Sequence, residues 1–219
     1  MKSIAIAWSL CVLCAGAVRA EETPRYIQFG IDVSSSWTLG DGSELWTDGT
    51  GFGLAGFYPL TPWMLLGLRA GYDRWSIDVF QAGEAAKPPG ASIVFNDTFG
   101  EFRIYEVTPT IRISRSKLLF DRLGAFVQGG AGYYHVRFNV ESVVGWDDGG
   151  GTEVTIAQGD GADHRFGVSG AGGVTFEFSK ESWFDVFPWY RVIFEDEGNI
   201  RYWGLLIGFR VAFAPWDES

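Results

Sequence analysis

The chain has 219 residues, 17 Lys and Arg against 27 Asp and Glu for a net charge of −10, 47% hydrophobic and 16% aromatic residues, and 30 glycines. That length suits one domain, and the glycine and aromatic content is high for an ordinary globular protein. So acidic a chain lacks the clustered Lys and Arg that nucleic-acid phosphates require, and no stretch after the N-terminal segment reaches the ~18 consecutive apolar residues of a membrane-spanning helix.

The first twenty residues read as a secretory signal: Lys2, an apolar run from Ile4 to Val18, and cleavage after Ala20 with Val18 at the minus-three position. Both cysteines, Cys11 and Cys14, fall inside it, and neither is preceded by the small residues of a lipoprotein site. The mature chain, 21–219, is therefore expected to have no disulfide, and without Lys2 and Arg19 it keeps 15 basic against 27 acidic residues, a net charge of −12. Two classes survive, a soluble exported β protein and a closed membrane barrel.

From there the chain alternates with a period of two, the signature of strands whose successive side chains point to opposite faces. Eight strands are predicted. The first, Tyr26 to Trp37, sets Ile27, Phe29, Ile31 and Val33 against Gln28, Gly30, Asp32 and Ser34. After a Gly/Asp-rich break come Gly51 to Tyr58, a tight turn with Pro59 and Pro62, and Met64 to Val79, where Leu66, Leu68, Ala70 and Tyr72 oppose Leu65, Gly67, Arg69, Gly71 and Asp73. A long break precedes Phe102 to Ile113, interrupted by Pro109, which lacks a ladder donor. Leu123 to Phe138 follows, then the longest break, Glu141 to Asp163, then Phe166 to Phe178, a short turn at Lys180 and Glu181, and Trp183 to Phe194. The last strand, Trp203 to Phe213, puts Trp203, Leu205, Ile207, Phe209, Val211 and Phe213 on one face and Arg210 among small residues on the other, and it closes on the strand that starts at Tyr26.

Break lengths alternate long and short, as in an up-and-down meander with surface loops on one rim and turns on the other. The long breaks hold most of the excess acid: Asp41, Glu44 and Asp48, then Glu84 and Asp97, then Glu141, Asp147, Asp148, Glu153, Asp160 and Asp163, then Glu195, Asp196 and Glu197. In a soluble sandwich or lipocalin-like barrel the faces opposite the apolar ones should resemble solvated surface. Here they hold glycines, small hydroxyl residues and single charges, which suit a narrow barrel interior. Aromatics at strand ends, Tyr26, Trp37, Trp63, Tyr72, Trp75, Tyr133, Trp183, Tyr202 and Trp203, are expected to form interfacial girdles. The interior is expected to be plugged, with Arg69, Arg112, Arg191 and Arg210 paired with Asp73, Glu106, Glu177 and Asp185, because a charge inside a barrel needs a partner.

On this pattern the chain resembles the small eight-stranded outer-membrane barrels of Gram-negative bacteria, the superfamily of the OmpA membrane domain and the opacity-type surface antigens. The resemblance spans the mature chain and implies an all-β, closed antiparallel up-and-down eight-stranded transmembrane barrel in the outer membrane, in contact with outer-membrane lipid and lipopolysaccharide and inserted by the barrel-assembly machinery. Its sorting signal, a glycine followed by alternating apolar residues and a terminal phenylalanine, is matched by Gly208, Val211 and Phe213, although the tail Ala214 to Ser219 runs on beyond the aromatic.

Little in the sequence points to chemistry. His135 is in a place where a lipid-modifying barrel hydrolase carries its base, but such enzymes have Ser two positions later and this chain has Arg137. His164 reads as a loop residue. The carboxylates Asp147, Asp148, Asp160 and Asp163 lack the ordered spacing of a calcium loop. Gly129, Ala131, Gly170 and Gly172 read as plain outward packing. The expectation is a monomeric, non-enzymatic barrel without catalytic, metal or cofactor site, presenting acidic loops for envelope integrity or surface recognition. Alternatives are a narrow channel for small solutes or ions and a lipid-modifying enzyme.

Overall fold

A computed structural model describes residues 26–40, 43, 46–78, 81, 93–115, 122–147, 153–155, 159–195 and 198–213, with backbone only for 93–99, 141–147 and 153–155. The expected signal segment, its cleavage site and the tail after Phe213 lie outside these residues. The strands are β1 (Ile27–Leu39), β2 (Gly49–Thr61), β3 (Met64–Ser76), β4 (Ile93–Arg115), β5 (Leu123–Asp147), a three-residue β6 (Glu153–Thr155), β7 (Gly159–Ser179), β8 (Ser182–Ile193) and β9 (Ile200–Phe213). Every pairing is antiparallel, and eight strands close in the order β1-β2-β3-β4-β5-β7-β8-β9 and back to β1. Among the described residues, the short β6 pairs only with β5. Closure runs from Ile27 opposite Phe213 to Leu39 opposite Arg201, so no edge is left at the seam. No helix among the described residues is long and apolar enough to cross a membrane, and the crossing is made by strands.

The alternation assigns the two faces. Phe29, Ile31, Val33, Leu54, Leu68, Val107, Ile111, Phe166 and Phe209 are exposed on the outside, Ile31 and Val33 at 60% and Phe166 at 73%. An exterior of that composition is stable only against lipid. Even positions of β9, from Tyr202 to Ala212, are buried inside. The same parity places Trp75 and Tyr202, both fully buried, in the lumen, and turns Trp183 inward beneath Arg210. These three aromatics are not girdle residues. Trp37 and Trp203 stack outside at 4.6 Å between ring centroids.

Three strands are longer than the repeat predicts. β4 begins at Ile93 instead of Phe102, β5 runs to Asp147 instead of Phe138, and β7 begins at Gly159 instead of Phe166. A strand needs only about 10 residues to cross a bilayer, so β4, β5 and β7 continue above it as a wall on one side of the barrel. Much of what reads in sequence as loop, including Asp147, Asp160 and Asp163, is ladder-bonded backbone of this wall, and Glu141 lies within β5 where its pairing with β4 shifts register. Bulges between Phe95 and Asp97 and between Phe99 and Gly100 absorb register changes there. At Thr108 and Pro109 the β4–β5 ladder is interrupted, which accommodates the missing proline donor.

The outer half of the lumen is an apolar core. Trp75, Phe102, Ile104, Tyr134, Val136, Ile193, Tyr202 and Leu206 fill it, with Trp75 edge-on to Tyr202 at 5.0 Å and Trp189 edge-on to Tyr202 at 5.0 Å. Trp46, in the β1–β2 connection, pairs with Ile77 and packs on Phe102 at 5.1 Å, closing this end from above. Lower down, Phe187 faces Phe126 at 5.1 Å. Gly173 makes room for it, since a Cβ at 173 meets the Phe187 Cβ and the Val186 carbonyl. Gly170, on the outside of the same strand, has open space where its Cβ would go. Gly173→Ala is therefore expected to destabilise the refolded barrel by about 1–3 kcal/mol through overpacking, and Gly170→Ala by less than about 0.5 kcal/mol. Urea unfolding in lipid vesicles, followed by tryptophan fluorescence, measures both.

Candidate functional site: the lumen charge network

Below the apolar core the inward positions become charged. Arg69 on β3 grips Asp32 on β1 through Nε and Nη2 at 3.2 and 2.6 Å, and its Nη1 reaches Glu106 on β4. Glu106 also accepts from Arg191 Nη2 on β8 at 2.6 Å, while Arg191 Nη1 donates to Asp73 on β3 at 2.5 Å and to the Tyr202 hydroxyl at 3.2 Å. Ser34 donates to the other oxygen of Asp73 at 3.0 Å. The result is a chain of ion pairs across the lumen, Asp32–Arg69–Glu106–Arg191–Asp73, linking four strands that are not all neighbours.

A second cluster lies nearer the turn rim. Arg112 on β4 holds Asp185 on β8 with two parallel bonds of 2.8 and 2.9 Å, and Arg210 on β9 holds the same carboxylate at 2.6 and 3.1 Å. Arg210 also donates to Gln28 and to Thr175. The guanidinium of Arg112 lies over the Phe126 ring at 3.4 Å, and that of Arg191 over the Trp189 ring at 3.9 Å, so their flat faces meet aromatic π clouds while their edges meet carboxylates.

Seven of the eight charged residues singled out in the sequence are brought together in these clusters, and Glu177 is not. It lies near the β7–β8 turn, opposite Trp183, is only half-buried, and makes no ion pair with any described residue. Asp32 takes the fourth acidic position, because the register sets it at mid-height on β1, across Gly53 of β2 from Arg69, while Glu177 is too close to the rim. The upper cluster has one carboxylate more than its arginines and the lower one guanidinium more, so together four arginines balance four carboxylates. Two small cavities of about 20 Å³ each remain between these groups, one beside Glu106, Thr110 and Trp189 and one beside Asp32, Arg112 and Asp185. Each has room for about one water molecule.

The remaining candidates lie elsewhere. His135 and His164 face outward and meet across β5 and β7, with Nδ1 atoms 3.3 Å apart and neighbouring Tyr105 and Tyr133 rings. Asp160 and Asp163 point to opposite sides of β7, and Asp163 pairs with Arg165. Among the described residues there is no cluster of three or more His, Cys, Asp or Glu that can hold a metal. On β9, Gly208 faces the lumen and Phe213 faces outward at the turn rim.

No protein-family model matches the chain, and no curated protein is similar to it in sequence. Among solved structures it superposes on Neisserial surface protein A with a TM-score of 0.52 at 15% identity, covering 85% of this chain and 97% of that one. The chain has the fold of the small eight-stranded outer-membrane barrels. The attachment invasion locus protein Ail of Yersinia pestis, solved with the heparin analogue sucrose octasulfate, aligns over 86% of this chain and 99% of its own at 15% identity and a TM-score of 0.48. The N-terminal barrel of Pseudomonas aeruginosa OprF aligns over 84% of this chain and 96% of its own at 12% identity and a TM-score of 0.41. This fold, with an apolar exterior that only lipid can cover, places the chain in the bacterial outer membrane.

Removing Asp185 strands two buried guanidinium groups at once. Asp185→Leu is expected to lose about 3–5 kcal/mol of unfolding free energy, whereas Glu177→Gln is expected to stay within about 0.5 kcal/mol of the parent. Urea unfolding in vesicles of fixed composition compares them directly.

Proposed function

We propose that this protein is a non-enzymatic surface barrel, a rigid outer-membrane scaffold that presents an acidic wall and loops to the outside for recognition or envelope integrity. The observation that carries this reading is the filled lumen: the space a channel needs is occupied by an apolar core and a balanced set of ion pairs. Binding function then falls to the long-loop rim, since loops on a rigid scaffold are where recognition residues gather. The sequence of β4, β5, β6 and β7 beyond the bilayer carries Asp97, Glu141, Asp147, Glu153, Asp160 and Asp163, which favours basic or cation-bridged partners. In the same reading residues 1–20 direct export, Gly208, Val211 and Phe213 are read by the barrel-assembly machinery, and the mature chain is a monomer in contact with lipopolysaccharide.

The lack of cysteine in a chain cleaved after Ala20 makes the orientation easy to test. Cysteine introduced at Asp160, on the wall, is expected to react with a membrane-impermeant maleimide on intact cells, and cysteine introduced at Lys180, in the β7–β8 turn, only after the outer membrane is permeabilised. The opposite labelling pattern overturns the proposal. The purified barrel in a planar bilayer is expected to give no resolved open-channel steps at neutral pH, and a stable unitary conductance contradicts the scaffold reading.

A further inference from the structure

The outside of the barrel carries one lateral row of charge that neither the scaffold nor the lumen explains. Arg74 on β3 is the register partner of Arg103 on β4, and Arg103 is the register partner of Arg137 on β5. All three share the outward parity of the lipid-facing residues, and Arg74 and Arg137 are exposed. Neighbouring strands are about 4.8 Å apart, so the three guanidinium groups span about 10 Å along the barrel wall.

The height of the row is marked by the residues beneath it. One outward position lower on the same strands are Tyr72, Tyr105 and His135, with Tyr72 and Tyr105 rings 5.0 Å apart and Tyr105 and His135 rings 5.9 Å apart. Such a belt of amphipathic rings sits at the membrane–water boundary. The arginines therefore stand at headgroup level on the long-loop side, where an outward charge is tolerated and meets lipid phosphate.

Among the described residues, the partners of these arginines leave the row positively charged. Glu101 pairs with both Arg74 and Arg103, which neutralises one charge of three. Arg137 makes no ion pair with any described residue, and the Nε of Arg103 is buried without a hydrogen-bond partner. Three like charges set side by side repel each other and are unfavourable as a purely structural device. In a chain of net charge −10 this local excess is complementary to an anion.

We infer that the row Arg74–Arg103–Arg137 is a docking site for the phosphorylated headgroup of an outer-leaflet lipid, whose acyl chains lie against the apolar wall below the tyrosines. Guanidinium forks bind phosphate oxygens in bidentate fashion, and adjacent forks hold a headgroup that bears more than one phosphate better than a headgroup with one. The inference rests on the proposed outward orientation of the long-loop rim, which the maleimide labelling tests separately.

The test uses the purified mature barrel in detergent with bis-phosphorylated lipid A, its dephosphorylated form and inorganic phosphate as probes, read by native mass spectrometry of retained lipid. The triple variant Arg74→Gln/Arg103→Gln/Arg137→Gln is expected to bind bis-phosphorylated lipid A at least about tenfold more weakly than the parent. Arg201→Gln, an exposed outward arginine on β9 away from the row, is expected to stay within about twofold. Dephosphorylated lipid A is expected to bind the parent as weakly as the triple variant, and inorganic phosphate in excess to leave lipid binding unchanged. The heat-dependent gel shift of folded barrels confirms that each variant has refolded, and single substitutions replace the triple one if it has not. Undiminished binding by the folded variants, equal binding of both lipid forms, an equal loss in Arg201→Gln or displacement of lipid by inorganic phosphate overturns the inference. Because binding is measured on purified protein, it holds or fails independently of which rim faces out of the cell.

Discussion

A guanidinium group sealed inside a narrow barrel must face a carboxylate, and the architecture of this protein depends on that requirement. Taking an ion out of water costs several kcal/mol, and only close, well-shaped pairing with opposite charge offsets it. The four lumen arginines meet the requirement through Asp32, Asp73, Glu106 and Asp185. The partners come from β1, β3, β4, β8 and β9: Arg191 with Glu106 and Asp73, and Arg112 with Asp185, tie together strands that are distant around the wall, while Arg69 with Glu106 and Arg210 with Asp185 join neighbours. The ladders set the cylinder, and the ion pairs set which residues stand opposite each other across it.

The same requirement divides the lumen in two. Where charge is present, several neighbouring inward positions are small or hydroxylated, such as Ser34, Thr175 and Gly208, and the aromatics among them, Phe126 and Trp183, lie against guanidinium faces. Where charge is absent, towards the outer rim, Trp75, Phe102, Tyr134 and Tyr202 take that volume instead. Arg191 joins the regions, with its face on Trp189 and its edge on Asp73 and Tyr202. Outside the filled lumen the surface is divided by height into a lipid band, a tyrosine belt, a row of arginines and a long-strand wall whose sequence is acidic.

Fold class was legible in the sequence because parity is a strong signal when one face is continuously apolar. The run Ile27, Phe29, Ile31, Val33 and the run Trp203 to Phe213 each announce a lipid-facing strand, and they turn out to be register partners along the seam. Strand length was not legible. The upper parts of β4, β5 and β7 are rich in Gly, Asp and Asn, residues that read as loop, and they form strands because long antiparallel ladders between neighbours hold them. The aromatic girdle was legible only in part. Trp75 and Tyr202 lie near strand ends as girdle residues do, but they share parity with Asp73 and Arg210, and parity decides direction. In the lumen, inward charge was visible at every arginine, while the choice of Asp32 over Glu177 depended on the height at which β1 and β7 cross the barrel, which inter-strand register sets and a single strand does not contain. The outward arginine row was invisible for the same reason: positions 74, 103 and 137 become neighbours only once the register is known.

The most direct test of the balanced lumen is a double-mutant cycle on Arg69 and Asp32 set beside a cycle on Arg69 and Glu177, each measured by reversible urea unfolding in vesicles. Arg69→Met with Asp32→Leu is predicted to show a coupling energy of about 1–3 kcal/mol, and Arg69→Met with Glu177→Leu a coupling of no more than about 0.5 kcal/mol, the additivity expected of residues that share no partner. Coupling of Arg69 to Glu177 as strong as, or stronger than, its coupling to Asp32 contradicts the arrangement described.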